Sequence, residues 1–147
     1  MNTITDDITI VIPSYNEESY IYETLYSISK QSGFTKKIRV IIADANSTDD
    51  TLEKISEADR DFKNLKIHII EGGPVGVASN RGAKLVNPPY ILFMDADSIL
   101  MEDDILWRVI HMTDKYDIIS CNKTSTTNSL LPTLTCTIFD FTRQIMQ

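Results

Sequence analysis

Short runs of apolar and β-branched residues alternate along this chain with segments of helical periodicity. Apolar residues at nearly every position of these runs predict strands that are buried on both faces. Strands that alternate with helices predict a mostly parallel, Rossmann-like sheet with helices on both sides, which is a three-layer α/β/α sandwich. The predicted strands are residues 8–12, 38–43, 66–70, 90–94 and 117–120.

Four helices are predicted between these strands. The first covers residues 17–30, and Asn16 is its expected N-cap because a short polar side chain can accept a backbone N–H there. The second follows the polar segment 47–50, and the third covers residues 77–85. The fourth follows residues 102–104, and its apolar residues are expected to face inward: Ile105, Leu106, Val109 and Ile110.

Length and charge limit the class of protein. The 147 residues, of which 42% are hydrophobic and 24% charged, predict a single domain over residues 1–147. A net charge of -7 argues against nucleic acid as a partner, because phosphate-binding surfaces need clustered Lys and Arg. The N-terminus has neither the basic region nor the apolar core of a signal peptide, so we expect a cytoplasmic location.

Two carboxylates, Asp95 and Asp97, follow the apolar run 90–94. Side chains two residues apart on a strand point to the same face, so we expect both carboxylates to converge on one cation. Hard carboxylate oxygens favour Mg²⁺ or Mn²⁺ over softer metals. The sequence therefore predicts a divalent-cation site at the end of this strand.

Polar motifs also follow the first three predicted strands, at residues 13–17, 44–50 and 71–76. Ligands of open parallel sheets bind outside the carboxyl ends of the strands, so we expect these motifs and the acidic pair to form one site. An aromatic ring, carboxylates, glycines and a cation together suit a nucleotide. Neither GxGxxG after the first strand nor the P-loop pattern occurs, so we expect the cation to be the main partner of the phosphates.

Four segments carry a family resemblance: ITIVIPSYNEE at 8–18, VIIADANSTDDT at 40–51, GVASNRGA at 76–83 and YILFMDAD at 90–97. In this order and spacing they resemble the nucleotide-binding half of the family 2 glycosyltransferases, which have the GT-A fold. The resemblance covers residues 9–120, which is most of the chain.

The resemblance implies a nucleoside pocket lined by Pro13, Tyr15 and Glu17, with the Tyr15 ring packed on the base. It also implies that Asp44 lies beside the base or the ribose. The family often has a second acidic residue at the next position, where this chain has Ala45. The identity of the nucleotide therefore stays open.

For the acidic pair, the resemblance implies that Asp97 ligates Mg²⁺ or Mn²⁺ and that Asp95 contacts the ribose or the cation. The expected substrates are a nucleoside-diphosphate sugar and an acceptor hydroxyl on a glycan, a lipid or a protein. The expected reaction is inverting sugar transfer, in which the cation stabilises the leaving nucleoside diphosphate. The family's general base comes from an acceptor-binding half that this sequence does not match, so we assign no catalytic base.

Other interpretations of the acidic pair stay open at this point. A strand ending in DxD is also typical of haloacid dehalogenase phosphotransferases, but there the motif follows the first strand and precedes Gly-Thr, whereas Ser98 and Ile99 follow here. A nucleotidyltransferase would have a Gly-rich basic loop after its first strand. The third interpretation is a non-catalytic nucleotide-sugar-binding domain or one part of a split enzyme.

Residues near the C-terminus form an apolar stripe at nearly helical spacing. Such a stripe packs on the protein's own sheet or contacts a partner or a membrane surface, which would make the protein peripheral to a membrane. Its residues are Leu131, Leu134, Ile138, Phe141 and Ile145.

Overall fold

The computed structural model describes residues 8–86, 90–112, 119–120, 122–125 and 132–135, the last two ranges for the backbone alone. The elements in chain order are β1 (Ile8–Ser14), α1 (Ile21–Ser29), β2 (Ile38–Asp44), α2 (Thr51–Asp61), β3 (Leu65–Glu71), α3 (Val75–Lys84), β4 (Tyr90–Phe93), β5 (Ile99–Leu100), α4 (Ile105–Met112), β6 (Asn122–Ser125) and β7 (Pro132–Thr135).

The main sheet has four parallel strands in the order β3-β2-β1-β4. From β1 the chain runs to β2 and β3 on one side, and it then returns to place β4 on the other side of β1. The strand order therefore reverses beside β1, which is where ligands bind in open α/β sheets. A smaller sheet has the order β5-β7-β6, with β5 parallel and β6 antiparallel to β7.

Helices cover both faces of the main sheet. On one face, Ile10 and Val40 are fully buried against Leu25 of α1 and Ile55 of α2. On the opposite face α3 packs so closely that a side chain at Gly82 would collide with Val11. Each fully buried Ile or Leu contributes roughly 1.5–3 kcal/mol. The predicted three-layer, mostly parallel α/β/α sandwich is confirmed.

The predicted fifth strand, residues 117–120, was wrong for its last two residues, which are the ones that the structure describes. Residues 119 and 120 belong to no strand, and residues 117 and 118 lie outside the described residues. Instead, the short strand β5 follows the acidic pair directly. Leu134 lies in β7 rather than in a helix, and the other residues of the C-terminal apolar stripe lie outside the described residues.

The prediction that every strand is buried on both faces was wrong for the two outer strands. Ile69 of β3 and Phe93 of β4 are 47% and 54% exposed. These strands form the edges of the four-stranded sheet, and α3 packs on β1 and β2 rather than on β4. An apolar run therefore indicated a strand but not whether that strand is central.

The first helix begins later than predicted. Asn16 has a φ of 54°, and Tyr20 rather than Asn16 is the N-cap of α1. Residues between them form a turn in which the Glu17 carbonyl accepts the Tyr20 N–H at 3.0 Å and the Ile21 N–H at 2.9 Å. Within the part of the chain that the structure describes, no helix combines the length and the apolar character needed to cross a membrane.

Candidate functional site

The carboxyl ends of three strands meet at one edge of the main sheet. Ser14 and Asp44 pair at the ends of β1 and β2, and the Ala45 N–H donates to the Ser14 carbonyl at 2.8 Å. The Gly72 N–H, just after β3, donates to the Asp44 carbonyl at 2.7 Å. The loops that follow these strands therefore begin side by side.

Asn16 links the β1–α1 loop to the β2–α2 loop. Its backbone N–H donates to the Ser47 hydroxyl at 2.9 Å, and its side-chain oxygen accepts the Thr48 N–H at 2.8 Å. Asn16 and Asn46 both have left-handed backbones, with φ of 54° and 61°, a conformation that Asn tolerates better than most residues. The two loops are thus cross-linked by a residue that the sequence had indicated only as a helix cap.

Three more hydrogen bonds join the same two loops. The Glu17 N–H donates to the Thr51 hydroxyl at 2.8 Å, and the Glu18 N–H donates to the Asp49 carboxylate at 3.2 Å. In return, the Asp50 N–H donates to the Glu18 carboxylate at 2.9 Å. Desolvation opposes ionisation of Asp49, but hydrogen bonds from Thr51 and Glu18 outweigh it and lower the pKa of this carboxyl.

The residues expected to line the nucleoside pocket lie on this cross-linked edge. Pro13 is half-buried within β1, and the Tyr15 side chain directly after β1 is 57% exposed. Asp44 ends β2 and is only 6% exposed, so its carboxylate is sheltered from bulk water. An exposed ring beside a sheltered carboxylate can offer a stacking surface and a hydrogen-bond acceptor to one ligand.

The acidic pair lies in a turn rather than on a strand. β4 ends at Phe93, and the Ser98 N–H donates to the Asp95 carbonyl at 3.2 Å, which closes a turn around both carboxylates. Asp95 is exposed and Asp97 is half-buried. The expectation that strand alternation points the two carboxylates to one face was therefore wrong, because neither lies on a strand.

Glu17 lies within electrostatic reach of this acidic turn, which we define as residues 95–98. Burial raises the pKa of Glu17, and the negative charges of Asp97, Asp49 and Asp95 raise it further, in that order. The fold thus concentrates carboxylates from the β1–α1 loop, the β2–α2 loop and the segment after β4. Such an excess of negative charge favours a cation.

Three polar residues that bond to the acidic turn or to the segment after it were missed by the sequence analysis. Thr24 and Ser27 lie on the buried face of α1, where an apolar stripe is normally expected, and Gln31 follows the helix. This interruption of the stripe is the signal that could have revealed them. The hydrogen bonds join Thr24 to the Ala96 carbonyl, Ser27 to the Leu100 N–H and Gln31 to the Glu102 carbonyl.

The carboxylates of the acidic turn fit a hard divalent cation that is also bound by the phosphates of a nucleotide. Among the residues that the structure describes, no three His, Cys, Asp or Glu side chains are arranged to hold a metal by themselves. Mg²⁺ in nucleotide sites is typically held by one or two carboxylates, with phosphate and water completing its shell. Asp97 and Asp95 carry carboxylates of this kind, and burial followed by the negative charges of Asp97, Asp49 and Asp95 raises the pKa of Glu17.

A family comparison agrees with the fold and the motif positions. The model of glycosyl transferase family 2 matches residues 9–134. The chain belongs to glycosyl transferase family 2. The match extends beyond the residues 9–120 on which the resemblance was recognised and includes β6 and most of β7.

The alignments with individual relatives include most of this chain but only a small part of each relative. It is 35% identical over 100 residues to the poly(ribitol-phosphate) beta-N-acetylglucosaminyltransferase TarS of Staphylococcus aureus, which aligns 66% of this chain and 17% of TarS. It is 31% identical over 115 residues to the poly(ribitol-phosphate) beta-glucosyltransferase of Bacillus spizizenii, which aligns 76% of this chain and 18% of that protein. The chain thus spans less than a fifth of the length of these relatives.

Solved structures of family 2 type have the same fold. The crystal structure of Staphylococcus aureus TarS in complex with UDP superposes with a TM-score of 0.64 at 28% identity, covering 86% of this chain and 38% of that chain. The mannosyltransferase PcManGT of Pyrobaculum calidifontis, in complex with GDP-Man and Mn²⁺, gives a TM-score of 0.72 at 23% identity, covering 83% and 37%. These likenesses identify the sheet and helices described above as a GT-A fold.

Proposed function

We propose that this chain acts as a metal-dependent glycosyltransferase, moving a sugar from a nucleoside-diphosphate sugar to an acceptor hydroxyl with inversion. The observation that carries the proposal is the charge arrangement at the sheet edge. Glu17, after β1, lies in the field of Asp97 and Asp95 after β4, and the exposed Tyr15 ring lies two residues before it. A cation site beside a stacking surface suits a nucleoside diphosphate.

The nucleoside would bind over β1 and β2. In this arrangement Tyr15 packs on the base, Asp44 accepts a hydrogen bond from the base or the ribose, and Pro13 forms the floor between them. The similarity to TarS, which has been crystallised with UDP and with UDP-GlcNAc, supports a uridine nucleotide as the first candidate. The cross-linked loops favour binding because little conformational freedom is lost when the ligand arrives.

The diphosphate would bind over the acidic turn. Asp97 and Asp95 would hold Mg²⁺ or Mn²⁺ through hard carboxylate oxygens. When bound, the cation supplies electrostatic stabilisation of the charge that develops on the leaving diphosphate. The protein's part is to position these carboxylates.

Nucleotide binding provides the first test. The 147-residue chain is titrated by calorimetry with UDP, GDP, CDP and ADP, each with MnCl₂ and with EDTA. We expect at least one nucleotide to bind, and to bind more tightly with Mn²⁺. If no nucleotide binds under either condition, the proposal is wrong.

Sugar release provides the second test and separates an enzyme from a binding domain. The chain is incubated with Mn²⁺ and radiolabelled sugar donors carrying the nucleotide that binds, with and without candidate hydroxyl acceptors. Release or transfer of the labelled sugar supports a glycosyltransferase. Tight binding without release supports the alternative, a nucleotide-sugar-binding domain or one part of a split enzyme.

A further inference from the structure

Thr24 connects helix α1 to the centre of the acidic turn. Its hydroxyl donates to the Ala96 carbonyl oxygen at 2.7 Å, and the hydrogen bond is buried. Thr24 is fully buried and Ala96 is only 3% exposed. Ala96 is the residue between Asp95 and Asp97, so this hydrogen bond reaches the backbone of the acidic pair itself.

The geometry of the peptide group explains why this contact matters for Asp97. The Ala96 carbonyl belongs to the planar peptide bond that leads into Asp97, so fixing its direction also fixes where the Asp97 Cα lies. The Ser98 N–H closes the other side of the turn by donating to the Asp95 carbonyl at 3.2 Å. The turn is therefore held by one hydrogen bond from α1 and by one hydrogen bond within its own backbone.

Two neighbouring polar residues, Ser27 of α1 and Gln31 just after the helix, bond to other segments. The Ser27 hydroxyl accepts the Leu100 N–H at 3.0 Å and thereby fixes β5. Gln31 accepts the Leu106 N–H at 3.0 Å and thereby fixes the start of α4. Among these three side chains, Thr24 is the one that bonds to the acidic turn.

We propose that Thr24 is a positioning residue for the divalent-cation site, because its hydroxyl holds the Ala96–Asp97 peptide in the orientation that presents the carboxylates. The proposal rests on the function proposed above. Groups that orient metal ligands typically change metal affinity by 10-fold or more when they are removed. Thr24 would act on the cation through the backbone of the turn, without contacting the cation itself.

The test compares three variants of the full chain. Thr24→Val keeps the shape of the side chain and removes the hydroxyl, whereas Thr24→Ser keeps the hydroxyl. Ser27→Ala is the matched control, since it removes another buried hydroxyl of α1 that bonds to β5. The measurements are the Mn²⁺ concentration that gives half-maximal UDP binding, the hydrogen exchange rate of the Ser98 amide without ligand, and the melting temperature.

We expect Thr24→Val to raise the half-maximal Mn²⁺ concentration about 10-fold and to speed exchange at Ser98. Thr24→Ser should restore both values, which also shows that a hydroxyl rather than the exact side-chain shape is required. Ser27→Ala should lower the melting temperature while leaving the Mn²⁺ requirement unchanged. A Thr24→Val variant with the original Mn²⁺ requirement and the original Ser98 exchange rate would overturn the proposal.

Failure of the two proposals can be told apart. If the unsubstituted chain binds no nucleotide, the proposed function fails. The exchange of the Ser98 amide still shows whether Thr24 orders the turn, because that measurement needs no ligand. Unchanged exchange in Thr24→Val then rejects the positioning role independently.

Discussion

Ser47 donates a hydrogen bond to each oxygen of the Asp44 carboxylate. Its backbone N–H donates to Asp44 Oδ2 at 2.9 Å, and its hydroxyl donates to Asp44 Oδ1 at 2.6 Å. The same hydroxyl accepts the Asn16 N–H at 2.9 Å. A single serine thus orients the carboxylate expected to bind the nucleoside and ties it to the loop that carries Tyr15.

Removing this hydroxyl should loosen both loops. Ser47→Ala loses two hydrogen bonds in a partly exposed setting, so we expect a loss of about 1 kcal/mol in the free energy of unfolding. Nucleotide binding should weaken roughly 5-fold, because Asp44 then has fewer constraints on its orientation. Chemical denaturation and calorimetry measure the two effects.

Ser56→Ala is a suitable control for Ser47→Ala. The Ser56 hydroxyl donates to the Leu52 carbonyl on the exposed side of α2 at 2.9 Å, away from the sheet edge. This variant should bind nucleotide like the unsubstituted chain. Equal binding by Ser47→Ala and Ser56→Ala would show that the orientation of Asp44 does not affect the pocket.

Asp97→Asn tests the cation site. The substitution keeps the size of the side chain and removes the charge, so the increase in nucleotide affinity caused by Mn²⁺ should be largely lost while binding in EDTA changes little. The control is Asp59→Asn, which removes one charge from an exposed position of α2. Calorimetric titrations with and without Mn²⁺ measure this increase in affinity. An undiminished increase in Asp97→Asn would reject this residue as a ligand.

Glu17→Gln tests the excess of negative charge at the site through the pH dependence of the protein's stability. Burial and then Asp97, Asp49 and Asp95 raise the pKa of Glu17 above its ordinary 4.5. The folded state therefore binds this proton more tightly than the unfolded state. The resulting stabilisation is fully present below pH 4.5 and is lost as the pH rises through the folded pKa, so ionised Glu17 destabilises the metal-free fold at neutral pH.

The expected result is a higher melting temperature for Glu17→Gln at pH 7 in EDTA, with a gain that shrinks towards pH 4. Adding Mn²⁺ should also reduce the gain, because the cation balances the same charge. Glu23→Gln, an exposed carboxylate of α1, controls for the loss of one charge. A gain for Glu17→Gln that stays constant from pH 4 to pH 7 would contradict the assigned cause.

Local composition was enough to predict the order of the main elements. Strands β1 to β4 and the helices between them were found because their apolar residues are consecutive or periodic, and this follows from burial alone. The motifs after the strands could be placed at one edge for the same reason, since parallel strands align their carboxyl ends. The exposure of Ile69 and Phe93 was not predicted, because it depends on which strands form the edges.

The finer parts of the site depend on contacts between residues far apart in sequence. The sequence predicts Asn16 as a helix cap, yet Asn16 bonds to the β2–α2 loop, and this partner cannot be recognised from its neighbours along the chain. Thr24 and Ala96 are likewise 72 residues apart. The acidic pair was found, but its turn was not, because the end of β4 is set by tertiary contacts rather than by propensity.

Gly72 and Gly76 form a matched pair for testing the packing beneath the proposed nucleoside pocket. A Cβ at Gly72 would lie 2.5 Å from the Ala43 carbonyl oxygen and 2.7 Å from the Asp44 carbonyl carbon, both of them backbone atoms. Gly72→Ala should therefore cost about 1–3 kcal/mol of stability and weaken nucleotide binding, because Asp44 must shift.

Gly76 lies in α3, and a Cβ there would meet no atom within 4 Å. Gly76→Ala should stabilise the fold by about 0.5 kcal/mol, since alanine restricts the unfolded chain and favours a helix. Denaturant unfolding of both variants provides the measurement. If Gly72→Ala proves as stable as Gly76→Ala, the close approach of Gly72 to the end of β2 does not constrain Asp44.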